Sequence, residues 1–290
     1  MVAQPRPLTT WYGGKARMAK IIADMLPKHI NYVEPFCGMS GVLMAKPPSE
    51  VELINDMHDG LINLYRVIRN PDTCKELIAQ LELTPYARAE WRYCNDNWQT
   101  ESCQVEKARM VYITLAQNFV GKTSNGSWSF GGPECENVVK TFVNSLENIS
   151  LVCKRMQSVM IENKPALNIM RQWENSNTCF YLDPPYLPEV RHKGAARDYL
   201  HEMSLNDHME LLDFCLNSKS KIILSGYLSR LYQDTLECNE WQRKDYQMTS
   251  SAALQSTANG LKGKPADLAK RTECLWINPA AQGGQLKLWA

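Results

Sequence analysis

Four short apolar runs, each broken off at a small or acidic residue, constrain the fold of this chain more than any other feature. Ile30–Pro35 stops at Phe36-Cys37-Gly38, and Val51–Ile54 stops at Asn55-Asp56. Cys179–Leu182 stops at Asp183, and Lys221–Leu224 at Ser225-Gly226-Tyr227. Runs this short and this apolar suit strands buried on both faces of a sheet. Met18, Ile21, Ile22 and Met25 share one helical face ahead of the first run, with Pro27 placed to stop that helix. Met209, Leu211, Leu212 and Cys215 suit a crossover helix between the last two runs, and Cys274–Ile277 is a final strand. A strand, a glycine turn, a helix and a strand ending in an acid make up half of a doubly wound α/β fold. Such a fold builds its ligand crevice at the carboxyl ends of its strands.

From Leu61 to about Asn163 the pattern is helical, with no strong strand candidate. Leu61, Leu64, Tyr65 and Ile68 form one amphipathic face; Ala108, Tyr112 and Leu115 form another. Gly121–Trp128 interrupts this region, and its Asn125-Gly126 pair reads as a hairpin or loop. The stretch Met248–Arg271, rich in Ser, Ala, Gly and Lys, reads as a further loop. The net charge of +1 gives no global signature of a nucleic-acid binder, so any basic surface must be local. The 10 cysteines include no CxxC pair and stand apart from the histidines at zinc-ligand spacing, which points to reduced thiols in a cytoplasmic protein and to no metal centre. No apolar run approaches the roughly 20 residues that cross a bilayer, so no membrane association is expected.

The sharpest chemical signal is Asp183-Pro184-Pro185-Tyr186. A planar exocyclic amino group is a poor nucleophile because its lone pair is delocalised into the ring. A site that alkylates it needs acceptors for the amino hydrogens. The Asp183 carboxylate and the Pro184 carbonyl, on a turn stiffened by two prolines, are two such acceptors. Tyr186 offers a flat face on which an extruded base could stack. Taken alone, the four residues also suit an ordinary loop after a strand. The turn Phe36–Gly41 lets backbone approach a ligand, and Asp56 at the end of the next strand is placed to bind ribose hydroxyls. Any nucleotide-binding α/β domain would explain those two features equally well.

The combination is more specific. Trp11-Tyr12-Gly13-Gly14-Lys15, Pro35-Phe36-Cys37-Gly38, Asn55-Asp56 and Asp183–Tyr186 together resemble the Dam-like (D12) class of N6-adenine DNA methyltransferases. The likeness covers roughly Leu8–Tyr65 and Phe180–Asn278, and its later stretches look like the branch found in phages and prophages. The resemblance implies a Rossmann-like class I domain that uses S-adenosylmethionine, formed by 1–62 and 160–280, with a mainly helical target-recognition insertion over 63–159. It implies cofactor contacts at Trp11, Lys15, Phe36, Gly38, Asp56 and Asp183, and catalysis at Asp183, Pro184, Pro185 and Tyr186. Ser40 departs from the family turn, standing where a second glycine usually falls. Methylation of RNA adenine, methylation of cytosine N4, and a silent DNA- or clamp-binding regulator are the alternatives.

Double-stranded DNA is the expected partner. Lys122, Ser124, Asn125 and Trp128 are candidate contacts in the interrupted helical region, and Arg191, Lys193 and Arg197 follow the Asp-Pro-Pro-Tyr turn. Any one of them also suits a solvated surface. Residues 281–290 read as a flexible tail in which Gln285, Leu286, Leu288 and Trp289 resemble the peptides that dock in the bacterial sliding clamp.

Overall fold

The computed structural model describes residues 4–11, 13–118, 126–130, 137–190, 200–249 and 270–282. Its centre is a seven-stranded sheet in the order β3-β2-β1-β4-β5-β7-β6. The strands are β1 (Asn31–Glu34), β2 (Val51–Asn55), β3 (Val159–Glu162), β4 (Thr178–Leu182), β5 (Lys221–Tyr227), β6 (Gln242–Thr249) and β7 (Lys270–Ile277). The first five are mutually parallel, and β7 runs antiparallel between β5 and β6.

The two-residue period of the strands divides the core. Tyr32, Ile54, Tyr181, Ile223 and Leu275 belong to one apolar cluster, and their chain neighbours Val33, Leu53, Phe180, Leu224 and Trp276 to the other. The first face is covered by α1 (Ala19–Met25), α2 (Gly41–Ala45), α3 (Asp59–Arg69), α4 (Pro71–Glu82), α6 (Gln104–Ala116) and α7 (Val138–Met156), with α5 (Arg88–Asn97) packed on α6. The second is covered by α8 (Ala166–Trp173) and α9 (Leu205–Asn217). The helices between β2 and β3 therefore share one apolar core with the sheet.

Three expectations need correction. The helical reading to Asn163 missed β3, whose Val159 is buried while Met160 is exposed, so the strand lacks a continuous apolar run. The loop over Met248–Arg271 overlaps strands at both ends, because β6 continues to Thr249 and β7 begins at Lys270; residues 250–269 lie outside the described part. The amphipathic face expected at Ala108, Tyr112 and Leu115 is instead one side of a helix buried nearly all round, with Met110, Val111 and Ile113 also inside. A helix enclosed by its neighbours has no polar face to reveal its period.

Two residues mark the turn after β1. Gly38 has φ +45°, and Ser40 adopts the left-handed region at φ 48°, ψ 42°. A side chain at position 38 would come within 2.9 Å of the Trp11 indole nitrogen, so close approach and backbone conformation both require glycine there.

Candidate active site

Strand order reverses between β1 and β4, and there the carboxyl ends of the strands open a crevice. A cavity of about 1460 Å³ occupies it, larger than the roughly 300–1,000 Å³ of a cleft for one small ligand. Its lining brings together Trp11, Lys15, Phe36, Gly38, Asp56 and Asp183. Those are the six positions that the sequence suggested for a cofactor.

Asp183 sits where the chain leaves β4. The strand is buried along its whole length, and Pro184 cannot donate to a ladder, so pairing stops and the carboxylate turns into the crevice. The β4–β5 register, Leu182 beside Leu224, sets Ser225 next to Asp183. Ser225 Oγ donates to Asp183 Oδ1 at 2.9 Å, and Lys15 Nζ donates to Oδ1 at 2.8 Å and to Oδ2 at 3.0 Å. The Tyr186 hydroxyl lies 3.2 Å from Oδ1. Oδ1 is thus crowded with partners that fix the carboxylate, whereas among the described residues Oδ2 accepts from Lys15 alone. An ionised carboxylate has about four lone-pair positions, so Oδ2 keeps acceptor capacity in a residue that lines the crevice.

Lys15 ties two acids together. Its ammonium also lies 3.3 Å from Glu273 and 4.9 Å from the centre of the Tyr186 ring. Burial alone would lower the Lys15 pKa, but the charges of Asp183 and Glu273 reverse this and hold the ammonium protonated well above its ordinary range. Burial pushes the Glu273 carboxyl upward, with Lys15 opposing. Tyr186 is buried, its hydroxyl donates to Glu273, and its ring meets Tyr227 edge-on at 4.6 Å.

Asp56 organises the other lobe. Its Oδ2 accepts from the Gly38 N–H and its Oδ1 from the His58 N–H, each at 3.0 Å, which pins the glycine turn to the end of β2. The Trp11 indole stands over Gly38 and meets His58 edge-on. The Arg6 backbone is held by two bonds to the Asn148 side chain on α7, which ties the N-terminal segment down beside the cavity.

Trp128 is set apart from this cavity. Its indole donates to Gln117, the Arg88 guanidinium lies 5.0 Å from its ring, and it stacks with the exposed Phe130. Lys122, Ser124, Asn125, Arg191, Lys193 and Arg197, and Gln285, Leu286, Leu288 and Trp289 of the tail, lie outside the described residues. Sequence reasoning assigned no role to Glu273, Ser225 or Tyr227. Their only signal was their place within Phe180–Asn278, the later part of the chain that resembled the family. Among the described residues no helix is long and apolar enough to cross a membrane, and no cluster of three or more His, Cys, Asp or Glu suits a metal ion.

A family model for D12 class N6 adenine-specific DNA methyltransferases matches residues 11–252. The type II methyltransferase M1.LlaDCHI of Lactococcus lactis subsp. cremoris is 26% identical over 257 residues, which span 79% of this chain and 84% of the relative. The type II methyltransferase M.MjaIII of Methanocaldococcus jannaschii is 22% identical over 231 residues, spanning 72% of this chain and 78% of the relative.

Proposed function

This chain belongs to the D12 class of N6-adenine-specific DNA methyltransferases, and we propose that it works by flipping adenine into the Asp183–Tyr186 pocket beside bound S-adenosylmethionine. The carrying observation is the fixed Asp183 carboxylate in a crevice with room for more than one small ligand.

The cofactor fits the lobe around Gly38. Gly38 and Trp11 form a surface that any side chain at position 38 would obstruct. Asp56 retains lone pairs for ribose hydroxyls after its two backbone bonds, and Phe36 borders the same space. When bound, S-adenosylmethionine supplies an electrophilic methyl group. The protein supplies the rest. Asp183 Oδ2 and the Pro184 carbonyl accept the two amino hydrogens of adenine, drawing the N6 lone pair out of conjugation. Tyr186 orients the base, and Lys15 and Ser225 keep Asp183 from rotating.

In this reading the segment 63–159 recognises double-stranded DNA, with Trp128, Lys122, Ser124 and Asn125 at its contact edge and Arg191, Lys193 and Arg197 on phosphates. The tail docks a sliding clamp through Gln285, Leu286, Leu288 and Trp289, raising the enzyme's concentration near replicating DNA.

The test is transfer of a labelled methyl group from S-adenosylmethionine to duplex DNA, followed by nucleoside analysis. The label should appear in N6-methyladenine. Asp183→Ala should lower the rate by about 10³-fold or more, in line with the loss of a preorganised electrostatic group. Undiminished transfer by that variant would remove Asp183 from the chemistry.

A further inference from the structure

We propose that Glu273 is the proton acceptor at the end of a short relay that starts at Asp183 and passes through the Tyr186 hydroxyl. The proposal rests on the reading of Asp183 given above and extends it to residues on the far side of the tyrosine.

Methylation of an amino group leaves one proton too many. As the N–C bond forms and the carbon–sulfur bond of the sulfonium donor breaks, the nitrogen becomes cationic and must lose a hydrogen. Asp183 is a base in reach, yet its carboxylate already accepts from Lys15 and Ser225. The Tyr186 hydroxyl has one hydrogen and faces two carboxylates: Asp183 Oδ1 at 3.2 Å, and Glu273 Oε1, to which it donates in a very close contact. A proton taken up at Asp183 Oδ2 moves to Oδ1 through the Lys15 ammonium, which donates to both oxygens and gives up one hydrogen as it gains another. From Oδ1 it passes to the Tyr186 oxygen as that oxygen hands its own hydrogen to Glu273. The N–H bond breaks, one O–H bond forms on Glu273, and Asp183 and Tyr186 return to their starting states.

Charge favours the endpoint. Lys15, Asp183 and Glu273 form a buried cluster of one cation and two anions, with a formal charge of −1. One added proton makes it neutral, which lowers the cost of burial. Of the groups facing Glu273, Asp183 is the competing acceptor, and its oxygens already accept from Lys15 and Ser225. Lys15 stands on one side and Asp183 and Tyr186 on another, while the register of β7 sets Tyr227 and Tyr246 beside it on β5 and β6. Burial raises the Glu273 pKa, so the carboxyl is better suited than a solvated one to hold a proton. Glu273 also lines the cavity, and its proton can leave to solvent after product release.

The experiment compares wild type, Glu273→Gln, Tyr186→Phe, the double variant and Asp183→Ala in single-turnover transfer between pH 5 and 9. Equilibrium binding of S-adenosylmethionine and of DNA is measured alongside. The relay predicts that Glu273→Gln slows transfer by about 10–100-fold with binding unchanged, the scale of a lost acid–base group. The acid limb of the pH–rate profile, where Glu273 is already protonated, should flatten. Because the two groups act in series, the double variant should be no slower than the slower single variant. Transfer by Glu273→Gln at the wild-type rate across the pH range would overturn the relay, provided Asp183→Ala is inactive. An active Asp183→Ala would instead overturn the site reading itself. A Glu273→Gln defect that follows weakened binding, with an unchanged pH profile, would reduce Glu273 to a structural prop and also overturn the relay.

Discussion

The sheet carries two buried three-charge clusters, and they are inverses of one another. At the carboxyl ends of β4 and β5, one cation, Lys15, lies between two acids, Asp183 and Glu273. At the amino-terminal end of β2, one acid, Glu52, lies between two bases, Lys46 at 2.5 Å and Arg155 at 2.5 Å. Both shift the pKa values of their members, so a perturbed ionisation does not by itself distinguish function from structure. Access does. The Glu52 side chain is 1% exposed and its oxygens are consumed by Lys46, Arg155 and the Ser49 N–H. The Asp183 side chain is 18% exposed and borders a large cavity. One cluster closes the end of a sheet; the other leaves an oxygen with capacity to accept.

Removing the central residue of each cluster separates the two roles, and these are the largest effects expected. Lys15→Met leaves Asp183 and Glu273 facing each other, and one of them will take a proton. Transfer should then fall by about 10²-fold or more, because Asp183 loses both its charge state and its anchor. Glu52→Ala leaves Lys46 and Arg155 uncompensated and should cost about 3–5 kcal/mol of stability. Activity per folded molecule should hardly change. Chemical denaturation and single-turnover rates on the same samples check both. Equal losses of rate in the two variants would erase the distinction.

An intermediate effect belongs to Glu34, at the end of β1 between the two clusters. It is buried and accepts from the Tyr32 hydroxyl and the Leu43 N–H, so it holds α2 to the sheet. Burial pushes its carboxyl up to about 7. The folded state therefore binds this proton more tightly than the unfolded chain does. The stabilisation is complete below the unfolded pKa near 4.5 and is lost as pH rises through about 7. Glu34→Gln should keep the contacts and abolish that loss, so the melting temperatures of wild type and variant should diverge between pH 5 and 8, with the variant higher at pH 8. Parallel melting curves across that range would show that Glu34 does not set the pH dependence.

Much of the carboxyl-end cluster was legible in the chain, and almost none of its partner at the other end. Asp183, Gly38 and Asp56 follow buried strands, and a turn after an apolar run is a local signal that survives in sequence. The Lys15–Asp183 contact spans 168 positions and the Tyr186–Glu273 contact spans 87, so both exist only after the sheet has formed. Strands β3 and β6 escaped for a related reason. They are the two edges of the sheet, and an edge strand such as Gln242–Thr249 has polar residues along much of its length. Glu52 and Arg155 drew no reading of their own from the sequence, because their contact spans 103 positions and exists only once β2 and α7 have packed.

The smallest effect falls on α2, the short helix that runs from the glycine turn to the Glu52 cluster. Its N-cap, Ser40, lies in the glycine turn, and its C-cap, Lys46, belongs to the structural cluster. Ser40 holds a left-handed conformation and makes no side-chain cap bond to the helix. For a residue with a Cβ that conformation costs about 1–2 kcal/mol. Glycine removes the strain but also frees the unfolded chain, which returns part of the gain. Ser40→Gly should therefore stabilise the protein by about 0.5–1 kcal/mol, measured as a shift in denaturation midpoint at unchanged slope. Because Ser40 is fully buried beneath the turn, the substitution should leave the lining of the crevice intact, and affinity for S-adenosylmethionine should be the same within twofold. A destabilised variant would mean that the buried hydroxyl contributes more to the turn than the backbone strain costs, and that serine at this position is retained for packing.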